Sequence, residues 1–166
     1  MKRSSGVLRS ANYRRVTEPW LTSVPSFRPD PGTGQTQKGT GPMTTNFALP
    51  EDATKMTALY VRAMNSGDVD AVLSLYTEDA VSVWDPEKPI SGAEHDQAVK
   101  EFMAKRPVMR AELKESYVTG DTALLVVDWS FDIEGEEPLS GTGLDVLRKG
   151  PDGKWRYAID NPFGDN

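Results

Sequence analysis

The sequence predicts an α+β fold in which helices come first and an antiparallel sheet follows. Apolar residues recur at helical spacing in three early segments, 51–65, 68–77 and 92–105. Apolar and polar residues alternate in later segments, which predicts strands at 108–118, 121–133, 139–149 and 154–160, after one short early strand at 80–84. Helices and strands are therefore segregated along the chain, which is typical of α+β proteins and not of doubly wound α/β proteins.

The first two helices are expected to form a hairpin. One stripe of helix 51–65 follows the i, i+3, i+4, i+7 rule and should be buried: Met56, Leu59, Tyr60 and Ala63. Gly67 is well placed to end this helix. Helix 68–77 repeats the apolar spacing, so the two helices are predicted to meet at a tight joint.

The third helix is predicted to begin at a capping box. Ser91 and Glu94 have the spacing at which each side chain satisfies a free backbone donor of the other residue. Helix 92–105 then shows an apolar stripe that includes His95, and Pro107 marks its limit.

The alternation of large apolar and more polar residues in the last strand predicts that one of its faces is buried. Trp155, Tyr157 and Ile159 alternate with more polar neighbours over 154–160, and Asp160 falls out of phase with them. Large residues such as Trp155 and Tyr157 could therefore supply a face for a second copy of the chain.

The first 45 residues read as a disordered basic tail or linker, and residues 46–166 as a single domain. Residues 1–42 carry seven Lys or Arg against two Asp or Glu, a net charge of +5, which leaves −11 of the total of −6 for residues 43–166. A body this acidic repels phosphate backbones, so we expect no nucleic-acid partner. Met43 follows the Pro- and Gly-rich part directly and is a candidate natural start.

Composition excludes several classes of chemistry. The chain has no cysteine and a single histidine, so thiolate sites and multi-histidine metal sites are excluded, and we expect neither metal nor cofactor. No apolar run approaches the roughly 20 residues that a membrane helix needs, and no secretory signal is visible. We therefore expect a cytoplasmic protein without membrane contact.

Three acid or phenol groups lie among apolar residues and are the candidate catalytic residues. Tyr60 lies on the stripe of the first helix, Asp85 ends the first strand, and Asp145 interrupts an apolar strand. A carboxyl in such a setting is costly to bury unless it is neutral or hydrogen-bonded, and a raised carboxyl pKa suits proton transfer. Tyr60 could instead be a core tyrosine, Asp85 a turn aspartate and Asp145 a surface carboxylate.

A second group of residues is expected to contact a ligand. The apolar side chains could line a cavity or belong to the core. His95 could transfer a proton or lie at the edge of the core. Asp160 could face a pocket or solvent. The candidate ligand-binding residues are Trp84, His95, Phe102, Met103, Trp129 and Asp160.

Two segments and the order of elements carry a resemblance to a known superfamily. The run from Tyr60 to Asp68 resembles the end of the first helix in steroid Δ-isomerases, and the run from Gly153 to Phe163 resembles an uncharacterised SnoaL-like branch labelled after enediyne-biosynthesis proteins. Helix, short helix, strand, helix and sheet together resemble the nuclear-transport-factor-2-like (cystatin-like) superfamily. The resemblance implies a curved antiparallel sheet wrapped around three N-terminal helices, with a cavity inside.

The resemblance also implies roles for the candidate residues. In steroid isomerases a tyrosine at the place of Tyr60 and a protonated aspartate at the place of Asp145 donate hydrogen bonds to the substrate oxyanion. Asp85, followed by Pro86, looks like the general base; an alignment without a one-residue insertion puts Trp84 at that place instead.

Two functions follow from this interpretation. The first is a pocket for a small hydrophobic molecule, with cofactor-free proton transfer on a carbonyl compound of the isomerase, cyclase or hydratase type. The second is a non-catalytic ligand-binding or dimerisation module of the same fold, because fold does not fix function. A homodimer is expected in either case, since this superfamily commonly pairs through its sheets.

Overall fold

The structure, a computed structural model, describes residues 47–164. The predicted tail and Met43 lie outside the described residues. A 3₁₀ turn at Ala53–Lys55 precedes the helices α1 (Met56–Ser66), α2 (Val69–Leu73) and α3 (Gly92–Ala104). The strands are β1 (Tyr76–Ser82), β2 (Ile90–Ser91), β3 (Val108–Thr119), β4 (Thr122–Asp132), β5 (Leu139–Lys149) and β6 (Trp155–Asp160).

The strands form one curved, open sheet in the order β2-β1-β6-β5-β4-β3. β1 runs parallel to β6, and the other neighbouring pairs are antiparallel. Helix α1 packs against β3 and α3 packs against β1, so the helices lie on one side of the sheet. The core between these layers contains the fully buried side chains of Met56, Leu59, Leu75, Leu125 and Leu147. The predicted α+β fold is confirmed.

The second helix is shorter than the apolar spacing predicts. α2 begins at Asp68, whose side chain accepts a hydrogen bond from Ala71 N, and ends after five residues. Tyr76, expected in this helix, instead opens β1 and lies opposite Tyr157 in β6. The prediction of a helix to residue 77 and of a strand only from residue 80 is therefore wrong, because pairing with β6 takes over the apolar stripe.

The predicted ends of α1 and α3 have different outcomes. Gly67 ends α1 with a left-handed φ of 73°, as predicted. Ser91 is the first cap of α3, but its side chain makes no capping hydrogen bond, so the predicted capping box is wrong. Ser91 is held extended by pairing with Val81, and the Glu94 side chain pairs with Lys88 instead.

The alternation predicted for β6 breaks near its end. Trp155 and Tyr157 are buried as large residues of the inner face, so they do not form an exposed dimer face. A register shift against β5 follows Tyr157, and it turns Ile159 outward, where 40% of its surface is exposed. The same shift brings Asp160 to the inner side that Tyr157 occupies.

None of the helices within residues 47–164 is long and apolar enough to cross a membrane.

Candidate functional site

A cavity of about 260 Å³ lies between α1, the end of α3 and the inner face of the sheet. Neighbouring aromatic rings make contact along its wall: the ring centroids of Phe102 and Phe131 are 5.0 Å apart, and those of Phe131 and Trp129 are 5.5 Å apart. The remaining apolar lining includes Met64, Trp84, Met109, Val127, Leu139 and Tyr157. An apolar enclosure with few polar groups is the usual form of a small-molecule site.

The chain after β6 closes one side of the cavity. Trp129 Nε1 donates a hydrogen bond to the carbonyl oxygen of Pro162, at 2.6 Å. A Cβ atom on Gly143 would lie only 3.3 Å from Asn161 O, so glycine at this position of β5 lets the segment pack closely on the sheet. Pro162 and Phe163 thereby become part of the cavity wall.

Besides the phenol of Tyr157, four polar side chains reach this apolar enclosure from three elements. Thr57 and Tyr60 lie one turn apart on α1, Asp145 lies in β5 and Asp160 ends β6. Residues three apart share one face of a helix, which explains why both α1 residues face the cavity.

Hydrogen bonds from three side chains converge on one oxygen of Asp160. Its Oδ2 accepts from Tyr76 Oη at 2.9 Å, from Trp84 Nε1 at 3.2 Å and from Ser82 Oγ at 3.4 Å. An indole N–H can only donate, and Tyr76 Oη is likewise the donor to this oxygen. Oδ1 has no part in these three bonds.

The direction of these bonds fixes the proton of Tyr60. The hydroxyls of Tyr60 and Tyr76 are 3.0 Å apart. Either hydroxyl can be the donor of this bond; while Tyr76 donates to Asp160, it accepts from Tyr60. The resemblance predicts a tyrosine that donates to a substrate oxyanion, and in this structure the Tyr60 hydroxyl is hydrogen-bonded to Tyr76. Burial and the nearby Asp160 raise the pKa of Tyr60 well above its ordinary value, so its hydroxyl stays protonated.

Asp145 is the more strongly perturbed of the two carboxyls. It is 9% exposed, and its Oδ1 accepts a hydrogen bond from Asn161 N at 3.3 Å. Burial raises the pKa of Asp145 well above its ordinary range, and the neighbouring Asp160 raises it further. A protonated Asp145 would carry its acid proton on Oδ2 and could donate a hydrogen bond from it.

Asp160 is the better stabilised carboxylate. Burial raises the pKa of Asp160, but hydrogen bonds from Trp84 and Tyr76 and the nearby His95 oppose the rise. Two interacting carboxyls lose their protons in separate steps. Burial therefore disfavours the charge on Asp145 more strongly than the charge on Asp160.

The structure does not bring Asp85 to the other two candidate catalytic residues. Asp85 lies beyond the end of β1, is exposed and does not line the cavity. Its Oδ1 accepts a hydrogen bond from Glu87 N, at 2.9 Å, which is the turn geometry common for an aspartate before proline. Trp84, the preceding residue, lines the cavity in its place.

The candidate ligand-binding residues divide into two groups. Trp84, Phe102, Trp129 and Asp160 line the cavity. His95 and Met103 are buried but lie outside the cavity wall. The His95 ring packs behind Tyr76, with centroids 4.6 Å apart, and its Nδ1 lies 3.5 Å from Asp96 Oδ1. His95 thus lies behind the cavity wall and not on it.

Two polar residues of the site were not predicted. Tyr76 was hidden because its spacing also fits a helix. Thr57 is 5% exposed and lines the cavity, and its Oγ1 is buried with no hydrogen-bond partner among residues 47–164. Its position one turn before Tyr60 was the available signal. In the same part of the chain, no three His, Asp or Glu side chains lie close enough together to hold a metal ion.

Comparisons with known proteins agree with this geometry. Residues 57–158 match the family model of the SnoaL-like domain. A protein from Streptomyces avermitilis, described as a candidate dehydratase of the NTF2-like family, is 20% identical, with a TM-score of 0.52 over 63% of this chain and 88% of its own. An NTF2-like protein with a cystatin-like fold from Novosphingobium aromaticivorans is 20% identical, with a TM-score of 0.51 over 66% of this chain and 77% of its own.

A third similar structure carries a name from a different functional class. It is described as a candidate calcium/calmodulin-dependent protein kinase type II association domain from Thiobacillus denitrificans. It is 16% identical to this chain and has a TM-score of 0.55 over 64% of this chain and 89% of its own. At these identities, the three structures establish the fold and not the reaction.

Proposed function

Because the chain belongs to the SnoaL-like domain family, we propose that it binds a small apolar carbonyl compound in the cavity and catalyses a cofactor-free proton transfer on it. The observation that carries this proposal is the pair of buried carboxyls on the wall of an aromatic cavity: burial raises the pKa of Asp145 well above its ordinary range, whereas hydrogen bonds oppose the rise at Asp160. Titratable groups whose pKa values are pushed apart by their surroundings are typical of acid–base sites.

Each carboxyl has one role. The Asp145 acid donates a hydrogen bond to the ligand carbonyl oxygen. Asp160 Oδ1 takes a proton from the carbon next to that carbonyl, so the C–H bond breaks, an O–H bond forms on Asp160, and the electron pair moves to the carbonyl oxygen. Asp160 then returns the proton to the same or another carbon, which completes an exchange or an isomerisation.

The surroundings support these roles. A carboxylate with a raised pKa is a stronger base than a free aspartate and is better matched to work near neutral pH. The apolar wall strengthens the hydrogen bond from Asp145 as negative charge develops on the ligand oxygen. A dehydration or cyclisation also begins with such a proton transfer, and the dehydratase name of the Streptomyces avermitilis protein supports this breadth.

The test uses 1-tetralone, a bicyclic ketone, as the probe in deuterated buffer. Exchange of its α-hydrogens is followed by proton NMR with the full chain. Asp160→Asn should lower the enzyme-dependent rate by about 10²–10⁴-fold, the usual contribution of a general base. Asp145→Asn keeps a donor and should lose much less than Asp145→Ala.

Asp152→Asn is the matched control, because Asp152 lies in the turn before β6 and forms an exposed ion pair with Arg156. It should exchange 1-tetralone at the wild-type rate. The proposal fails if the wild-type protein does not accelerate exchange, or if Asp160→Asn exchanges as fast as Asp152→Asn.

A second candidate function, self-association, is favoured by an apolar row on the outer face of the sheet. Tyr117, Leu124, Val146 and Ile159 lie directly opposite one another across β3, β4, β5 and β6. Tyr117 is 58% exposed. The row contains no charge and faces away from the cavity, so a second copy could cover it while the cavity stays open. The association-domain name of the Thiobacillus denitrificans protein supports this candidate.

Sedimentation velocity tests the association. Ile159→Glu, which puts a charge at the β6 end of the row, should shift a dimer to monomer. Val118→Glu is the control, because Val118 is equally exposed on the neighbouring position of β3 but points to the opposite face. A monomeric wild-type protein, or equal effects of the two substitutions, would rule out this surface.

A further inference from the structure

Residues 161–164, which follow β6, form a strap that separates part of the cavity from solvent. Pro162 and Phe163 line the cavity, yet 37% of the Phe163 surface is exposed. The Phe163 ring packs edge-on against the Trp129 ring, with centroids 5.6 Å apart. The strap has no role in the proton transfer proposed above, although it lies directly against the site.

The main chain of Asn161 is held by two consecutive residues of β5. Leu144 N donates a hydrogen bond to Asn161 O at 2.9 Å, and Asn161 N donates to Asp145 Oδ1 at 3.3 Å. Within residues 47–164, the bond from Asn161 N is the only hydrogen bond to the Asp145 carboxyl. The position of the strap therefore decides how this carboxyl is oriented.

Three hydrogen bonds and a close approach hold the strap in place. Trp129 Nε1 donates to Pro162 O at 2.6 Å. Asn161 Nδ2 donates to Gly164 O at 2.8 Å, and Gly164 N donates to Asn161 O at 3.3 Å, so the strap is closed into a turn. A Cβ atom on Gly164 would lie 2.9 Å from the carbonyl oxygen of Thr142, so glycine lets this turn pack against β5.

These contacts give the strap two effects on Asp145. The hydrogen bond from Asn161 N occupies Oδ1, which leaves Oδ2 for a ligand oxygen. The strap also covers the carboxyl, and burial is the largest cause of the raised pKa of Asp145, whereas the bond from Asn161 opposes the rise. An acid that is already oriented and kept from water needs little rearrangement as charge develops on a ligand.

We propose that the strap is a positioning element of the proton-transfer site, which orients the Asp145 carboxyl through Asn161 N and shields it from water. The proposal rests on the proposed function and makes Asn161 and Gly164 positioning residues for it. Neither residue lines the cavity, so substitutions at these two positions leave the lining side chains unchanged.

The first measurement compares Gly164→Ala with Gly120→Ala in the full chain. Both glycines have left-handed φ values, 59° and 55°, but a Cβ atom on Gly120 would meet nothing within 4 Å. In Gly164→Ala the strap should move away from β5 and admit water. The side-chain ¹³C signal of Asp145 should then titrate about one pH unit lower or more, because lost burial outweighs the lost hydrogen bond. Gly120→Ala should titrate as the wild type.

The second measurement is the exchange of the α-hydrogens of 1-tetralone. Gly164→Ala should lower kcat about tenfold or more and change KM by less than about threefold, because a misplaced acid affects the transition state more than binding. Asn161→Ala opens the turn but keeps the backbone N–H, so it should show the same pattern with a smaller loss. This milder variant tests the inference if Gly164→Ala does not fold.

The outcomes separate this inference from the proposed function. If Gly164→Ala and Asn161→Ala match Gly120→Ala in the Asp145 titration and in kcat, the inference is overturned even though the wild type exchanges 1-tetralone. A loss that appears only in KM would also overturn it, since the strap would then be a binding wall. A lowered Asp145 titration in Gly164→Ala, with no exchange by the wild type, would support the effect of the strap on Asp145 and refute the proton transfer.

Discussion

Asp152, in the turn before β6, and Asp160, at the end of β6, lie eight residues apart, yet their surroundings change their acidity in opposite directions. Asp152 is on the surface, where its hydrogen bonds to Arg156 lower its pKa to about 2. Asp160 faces the cavity, where burial raises its pKa. Burial raises the pKa of Asp145, on the neighbouring strand β5, further above its ordinary value. Aspartates of one chain thus form a permanent anion at the surface and an acid–base pair inside.

The contrast shows that the position in the sheet decides the chemistry of these carboxyls. At the surface, water and a guanidinium stabilise the charged form. In the cavity, the aromatic wall removes water, and only Asp160 has enough donors to hold a charge. The following predictions test this difference between the cavity carboxyls and the surface carboxyl.

The largest effect on stability is expected for Asp145→Asn. The wild-type folded protein holds Asp145 neutral, whereas the unfolded chain ionises it above about pH 4. Because the pKa of Asp145 is higher in the folded than in the unfolded state, this residue stabilises the folded protein below about pH 4. This contribution is lost as the pH rises. The amide has no such pH-dependent loss, so the variant should be more stable than the wild type at pH 7 by more than about 1 kcal/mol.

Denaturant unfolding at pH 7 and pH 4 measures this difference. The gain in free energy of unfolding of Asp145→Asn over the wild type should shrink towards zero at pH 4. A loss of stability at pH 7, or a gain that does not depend on pH, would contradict a neutral Asp145.

Thr57→Val should stabilise the free protein by about 1 kcal/mol, because the substitution removes a buried hydroxyl without a partner and keeps the shape of the side chain. Thermal unfolding checks this prediction, with Thr122→Val as the surface control. A destabilised Thr57→Val variant would indicate that the hydroxyl is satisfied within the protein.

The fold could be predicted from the sequence further than the site. The helical stripe of α1 and the alternation in β3, β4 and β5 give these elements within a few residues. The sequence does not show which residues near the end of β6 face inward, because a register shift turns Asp160 to the same side as Tyr157. Such shifts depend on the pairing partner and leave no local signal.

The site was predicted in part for a related reason. An apolar setting marked Asp145, and helical spacing marked Tyr60, so local patterns were enough to find them. Asp85 was chosen because an aspartate before proline fits the resemblance, whereas the structure places Trp84 at the cavity. The direction of the hydrogen bonds from Tyr60 to Tyr76 and Asp160 depends on contacts between distant parts of the chain, which no spacing rule gives.

Tyr76→Phe should shift the pH dependence of the proposed exchange reaction. Asp160 would lose one of its donors, so its pKa should rise further, and the rate should reach half of its maximum at a higher pH than in the wild type. The measurement is the exchange rate of 1-tetralone from pH 5 to pH 9. An unchanged midpoint would show that Tyr76 does not stabilise the Asp160 carboxylate.

The smallest effect is expected for Asp152→Asn. The lowered pKa of Asp152 contributes stability that is present above about pH 4 and is lost as the pH falls towards 2. Because the pair with Arg156 is at the surface, the variant should unfold within a few degrees of the wild type at pH 7, and added salt should reduce the difference. An effect as large as that of Asp145→Asn would remove the distinction between the two regions.

The most direct test of the account is an NMR titration of carboxyl carbons in protein labelled with ¹³C at the aspartate side chains. We predict that at pH 7 Asp145 keeps the chemical shift of a protonated acid while Asp160 has that of a carboxylate, and that Asp152 is already ionised at pH 4. An Asp145 signal that moves to the carboxylate shift together with those of exposed aspartates would contradict the account.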